Sequence, residues 1–153
     1  MNNLFSLTNK SIVITGGTGV LGKAMVRHFA SEGANVVVVG RNEERGRALV
    51  ESVTADGGSA VFLQGDVLKA EDVERIYAET LRRFSRIDVL INAAGGNMPG
   101  ATIAPDQTIF DLDLAAMRQV VELNLFGTIL PTQVFARAMA EQGKGSIINV
   151  ASE

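Results

Sequence analysis

The sequence predicts an α/β fold, a doubly wound parallel sheet in strand order 3-2-1-4-5 with helices on both faces. Three observations lead there. Short apolar, β-branched runs alternate with amphipathic segments along almost the whole chain, as when strands buried on both faces are joined by helices. Right-handed crossovers then fix the strand order. Between the first run and the first amphipathic segment stand Gly16, Gly17, Gly19 and Gly22, a turn with its backbone left bare.

Each element has its own warrant. Ile12, Val13 and Ile14 have the composition of a buried strand. A helix follows over 20–32, and Gly33 stops it. Residues 35–39 read as a second strand, and Asn42 as the N-cap of a helix over 43–55 that ends at Asp56-Gly57-Gly58. Residues 60–63 are the third strand. The third helix, 70–84, carries Val73, Ile76, Tyr77 and Leu81 at helical spacing. The fourth strand is 88–92, followed by a Gly-, Pro- and Thr-rich loop over 95–108, a long helical stretch over 113–142 and a fifth strand over 145–150. No repeat or linker interrupts the series, so residues 1–153 are expected to form a single domain.

Composition narrows the function. A chain of 153 residues can bury roughly 70% of its unfolded surface. Its 46% hydrophobic and 20% charged content is that of an ordinary globular protein. A net charge of −3 argues against nucleic-acid partners, since no basic excess exists to release counterions. No apolar run approaches membrane-spanning length, and the first residues lack the blocks of a signal peptide. With no cysteine, disulfides and thiolate metal sites are excluded, and a cytoplasmic home is permitted. A single histidine leaves no His-rich metal cluster.

The glycine turn carries the chemistry. Gly17, Gly19 and Gly22 fit G-x-G-x-x-G after a strand and before a helix. That context holds a nucleotide pyrophosphate, because bare backbone lets N–H groups approach the phosphates and the helix N-terminus favours negative charge. The alternative is a tight turn with no ligand. A ligand is expected where strands one and four diverge, at their C-terminal ends. Arg41 stands where such folds read the ribose, and an arginine there attracts a 2′-phosphate, favouring NADP over NAD. The alternative is a solvated surface arginine.

Asp66 could accept from an adenine amino group or from loop amides. Asn92 reads as a structural bridge between strands, and the small residues Ala93, Ala94, Gly95 and Gly96 leave room for a ribose. His28 and Tyr77 read as structural, and Asp111 and Asp113 as helix-capping acids. No Ser-His-Asp or metal constellation can be assembled.

Together these residues resemble the short-chain dehydrogenase/reductase family, whose fold is of the Rossmann type. Thr15-Gly16 begins its glycine motif, and Asp66-Val67 resembles its adenine-contacting pair. Asn92-Ala93-Ala94-Gly95 resembles its Asn-Asn-Ala-Gly, and Asn124-Leu125-Phe126-Gly127 the segment bearing its catalytic asparagine. Residues 145–152 resemble its fifth strand, which ends in the catalytic serine, here Ser152. Gly95-Gly96-Asn97 and the stretch 110–135 further resemble its mannonate and fructuronate oxidoreductases.

The resemblance implies hydride transfer between a nicotinamide and a small carbonyl or alcohol substrate. With the readings above, it implies cofactor contacts at Gly16, Thr18, Gly19, Val20, Leu21 and Gly22 in the turn. Arg41, Asn42, Asp66, Val67, Asn92, Ala93, Ala94 and Gly95 would serve the following strand ends. Homo-oligomers are implied as well, with pairing through Leu130, Val134, Phe135 and Met139 unless these merely cover the sheet.

The sequence departs from the family pattern in three places. Val20 stands where the common Thr-Gly-x-x-x-Gly-x-Gly spacing has glycine, giving the Thr-Gly-x-x-Gly-x-x-Gly of the extended branch. Ala93 replaces the motif's second asparagine. The Tyr-x-x-x-Lys pair that moves the proton in the family would lie beyond Ser152, and the one tyrosine here, Tyr77, has Leu81 four residues on. The family's last strands and helices would also follow residue 153. The expectation is therefore a fragment or truncated product whose fifth strand is an exposed edge. The rival expectation is a non-catalytic dinucleotide-binding module or redox sensor. A methyltransferase is disfavoured, because it would want an acid where Gly40-Arg41 stands.

Overall fold

The computed structural model describes residues 6–151. Five parallel strands, β1 (Ser11–Thr15), β2 (Asn35–Gly40), β3 (Ser59–Gln64), β4 (Val89–Asn92) and β5 (Ser146–Asn149), form one sheet. Their order is β3-β2-β1-β4-β5, as the crossover rule requires.

Alternation along the strands divides the core in two. Ile12, Ile14, Val36 and Val38 meet Val26 and Ala30 of helix α1 (Val20–Ser31) and Leu49 and Val53 of α2 (Glu43–Ala55). On the other face, Val13, Val37 and Leu90 meet Val73 and Ile76 of α3 (Ala70–Phe84) and the last helix. Each such buried Val, Leu or Ile side chain contributes about 1.5–3 kcal/mol. The caps follow the sequence: Asn42 Oδ1 accepts from the Arg45 N–H at 2.8 Å and starts α2.

The long helical stretch is not one helix. A 3₁₀ turn at Ile109–Asp111 precedes α4 (Leu114–Val121), a π-helical segment (Glu122–Phe126) and α5 (Gly127–Gln142). Thr108 and Asp111 cap the turn reciprocally, and Asp113 caps α4 through the Ala115 N–H at 2.8 Å. Both acids are therefore capping groups. Val134, Phe135 and Met139 are buried in the core with Leu130 packed against it. These four residues pack against the sheet.

Cover on both faces fails at β5. Ile147 and Ile148 point to opposite faces, yet are 38% and 50% exposed. No helix among the described residues is long and apolar enough to cross a membrane.

Candidate functional site

The glycine turn closes against the start of the β4 loop. Thr15 Oγ1, at the end of β1, accepts from the N–H groups of both Ala93 and Ala94 at 3.2 Å. The next residue, Gly16, has φ +65°, and a Cβ there would stand 2.5 Å from the Ala93 carbonyl oxygen. A Cβ on Gly22 would stand 2.4 Å from the Gly16 oxygen, so α1 also rests directly on the turn. The tight approaches thus fall at Gly16 and Gly22. Val20, in the departed spacing, is 95% exposed, and its side chain displaces nothing.

Helix α1 begins with no side-chain cap and no acid in its first turn. Its N-terminal N–H groups and partial positive charge are left for an external anion. A cleft opens beside it, floored by Gly16 and Gly19 and bounded by the ends of β2, β3 and β4. Among the sequence-derived candidates it gathers Gly16, Thr18, Gly19, Arg41, Asp66, Val67, Ala93, Ala94 and Gly95.

The other candidates stand apart from this lining. Gly22 is buried beneath the turn, Val20 and Leu21 are exposed on α1, and Asn42 is the cap of α2. Asn92 is buried under the cleft. Its Nδ2 donates to Thr132 Oγ1 at 3.0 Å and Asn149 Oδ1 at 2.9 Å, bridging β4 to α5 and β5 as its place at a strand end suggested. Its Oδ1 is buried with no donor among the described residues. Ser152 lies outside the described residues.

Four lining residues, Val39, Gly40, Gly65 and Leu123, were not among the sequence-derived candidates. Gly65 had a signal in its place before Asp66-Val67, whereas Leu123 arrives only through the π-helical segment.

Arg41 lies exposed at the rim, its guanidinium in no ion pair among the described residues, while Thr18 Oγ1 sits over the bare Cα of Gly40. Asp66 Oδ1 accepts from the Leu68 N–H at 3.0 Å, which realises the loop-amide alternative. Its second oxygen has no partner among the described residues. Asp72 stands behind it, held below the ordinary aspartate range by the Arg75 guanidinium and the Asp66 N–H.

Asn124, within the π-helical segment, locks the cleft's far wall. Its Oδ1 accepts from the Gly96 N–H at 3.0 Å, and its Nδ2 donates to the Gly96 and Val120 carbonyls at 2.8 and 2.9 Å. π-Helical turns often carry functional residues. Tyr77 is not part of the site: it packs edge-on against Phe135 at 6.0 Å, with Arg137 4.6 Å above its ring.

A bare-backbone turn, an uncapped helix N-terminus and a cleft where β1 and β4 diverge fit a pyrophosphate-linked dinucleotide. Among the described residues no group of acids and histidine is placed to hold a metal ion.

Known proteins share this fold. Residues 10–153 match the sequence profile of the family described as short chain dehydrogenase. An uncharacterised oxidoreductase of Bacillus subtilis is 37% identical over 96% of this chain and 56% of its own length. A structure from Haemophilus influenzae with bound NAD, assigned provisionally as a D-mannonate oxidoreductase, superposes with TM-score 0.86 at 34% identity, covering 95% of this chain and 56% of that one. A metagenomic short-chain oxidoreductase in complex with NADP gives TM-score 0.82 at 30% identity, covering 97% and 64%. The chain thus spans little more than half the length of the first two.

Proposed function

The chain belongs to the short-chain dehydrogenase family, and from that premise we propose that these residues are the cofactor-binding part of an NAD(P)-dependent oxidoreductase, with NADP preferred. The observation that carries the reading is the bare turn of Gly16 to Gly22 beneath the uncapped end of α1, with Arg41 at the rim of the same cleft in no ion pair among the described residues.

In this reading the first-turn N–H groups of α1 bind the pyrophosphate, Arg41 pairs with the 2′-phosphate, and the free oxygen of Asp66 accepts from the adenine amino group. Asn124 holds the Gly95-Gly96 wall against which the nicotinamide ribose lies. The bound nicotinamide supplies or accepts a hydride. Ser152 orients the substrate oxygen, and Asn124 supports the proton relay through the helix backbone.

The substrate is a small carbonyl or alcohol compound, and we place it among the sugar acids. The mannonate assignment of the Haemophilus relative supports this, as does the likeness around Gly95-Gly96-Asn97. No Tyr-x-x-x-Lys occurs within these 153 residues, so they do not by themselves supply the family's proton-transfer pair and are read as catalytically inactive alone.

Fluorescence titration with NADPH and NADH tests the proposal. Binding of both, with NADPH tighter, is expected. Tighter NADH would remove the role given to Arg41, and binding of neither would remove the function.

A further inference from the structure

Asp72 looks like an ordinary first-turn acid of α3, stabilised by the helix end as Glu71 beside it is. Its contacts are different. Oδ2 accepts from the Asp66 N–H at 2.9 Å, while Oδ1 pairs with the Arg75 guanidinium at 2.8 Å. Arg75 continues to the Gln64 carbonyl at 2.7 Å, and Gln64 Nε2 donates to the Arg41 carbonyl at 3.0 Å. Two side chains of α3 are thereby tied, directly or through one glutamine, to the main chains of Asp66 and Arg41.

The loop lies close enough for this because Gly65 carries no side chain. A Cβ there would stand 2.6 Å from Ile76 Cδ1 and 3.2 Å from Asp72 Cβ. Only 24% of the Asp72 side chain is exposed, so solvent screens its bonds less than those of a free surface acid. Arg41, Asp66, Asp72 and Arg75 line one depression that adjoins the cleft.

We propose that the Asp72–Arg75 pair is a positioning device, fixing the distance between the loops after β2 and β3 so that Arg41 and Asp66 act on the same adenosine. The inference rests on the dinucleotide reading above. Neither residue touches the nucleotide in it. They set the frame from which two other residues reach.

The test compares NADPH with its hypoxanthine analogue, in which the adenine amino group is replaced by a carbonyl. Affinities are measured by fluorescence on the full chain. The unaltered chain is expected to prefer NADPH by roughly tenfold, the worth of a hydrogen bond to a charged acceptor. Asp72→Ala is expected to abolish that preference. Asp72→Asn keeps an acceptor for the Asp66 N–H but gives up the ion pair with Arg75, and is expected to retain only part of it, as Arg75→Met does. Arg75→Met alters a side chain that is 55% exposed, so it serves if the alanine variant fails to fold, and it is expected to reduce the preference in the same direction.

An unchanged preference in the Asp72→Ala and Arg75→Met variants overturns the proposal. So does an equal loss of affinity for both nucleotides accompanied by a lower melting temperature, since that is what a merely structural role gives. An unaltered chain that binds both nucleotides equally well also overturns it, while leaving the dinucleotide reading standing. If the unaltered chain binds neither, the dinucleotide reading itself fails and takes this inference with it.

Discussion

Asn124 and Gly96 hold each other by two hydrogen bonds, side-chain oxygen to backbone N–H at 3.0 Å and side-chain amide to backbone carbonyl at 2.8 Å. This reciprocal pair is the only side-chain clamp on Gly96 among the described residues. Asn124→Ala removes both bonds and is expected to cost about 1–3 kcal/mol of stability. Asn124→Asp keeps the acceptor but sets a charge near the Gly96 carbonyl, and is expected to be no better. Urea denaturation of the two variants checks this, and an unchanged midpoint for Asn124→Ala would show the clamp to be idle.

Gly16→Ala places a methyl group 2.5 Å from the Ala93 carbonyl oxygen at a residue with φ +65°. Backbone strain and overlap act together there, so a loss of about 2–4 kcal/mol is expected, with nucleotide binding lost in parallel. Gly19→Ala is the control. Its Cβ meets only the Gly16 oxygen, at 3.2 Å, so it should fold with a far smaller penalty. Equal midpoints for the two variants would contradict the geometry.

Arg41→Asp exchanges a cation at the cleft rim for a carboxylate. NADPH affinity should fall by at least about tenfold, through lost attraction and added repulsion to the 2′-phosphate. NADH affinity should hold or rise, since a carboxylate there accepts from the ribose hydroxyl. The checking measurement is the ratio of the two dissociation constants, and a ratio that does not move removes Arg41 from specificity.

Acid should loosen the opposite end of the sheet. Burial pushes the Asp88 carboxyl up, but the Arg86 guanidinium, the Ser11 N–H at 3.0 Å and Lys10 at 3.7 Å outweigh it and hold the group below its ordinary value. A carboxyl lowered by folding stabilises above its unfolded value of about 3.9 and loses that contribution as pH falls through the folded value. Asp88→Asn should therefore lower stability at neutral pH by about 1–3 kcal/mol and flatten the acid limb below about pH 4. Urea midpoints at pH 7 and pH 3 report both. An acid limb as steep as that of the unaltered chain would assign it to other carboxylates.

How legible a feature was in the sequence depended on how local its cause is. The bounds of α2 and α3 come directly from the chain because Asn42, Asp56-Gly57 and the 70–84 periodicity act within a few residues. The glycine turn was legible for the same reason. The division of the 113–142 stretch was not, because its π-helical segment contains a residue bonded to Gly96, 28 positions away. Leu123 enters the cleft for that reason alone. Asp72 was equally opaque: acids in first turns are common, and only the folded loop after β3 gives this one two specific partners. Asn92 lay between these cases, since its position at a strand end named its role but not Thr132 or Asn149 as partners.

A π-helical segment is an α-helix carrying one surplus residue. The chain therefore holds a built-in phase shift between α4 and α5. Winding all of Glu122–Phe126 as ordinary α-helix, surplus residue included, would turn every later side chain by about 100° about the axis. Val134, Phe135, Ala138 and Met139 would swing out of the core together. Backbone geometry would improve as packing failed. The surplus residue is thus a keying element: it lets one continuous rod present Asn124 to the cleft and an apolar stripe to the sheet, two directions that a regular helix of the same length would not serve at once.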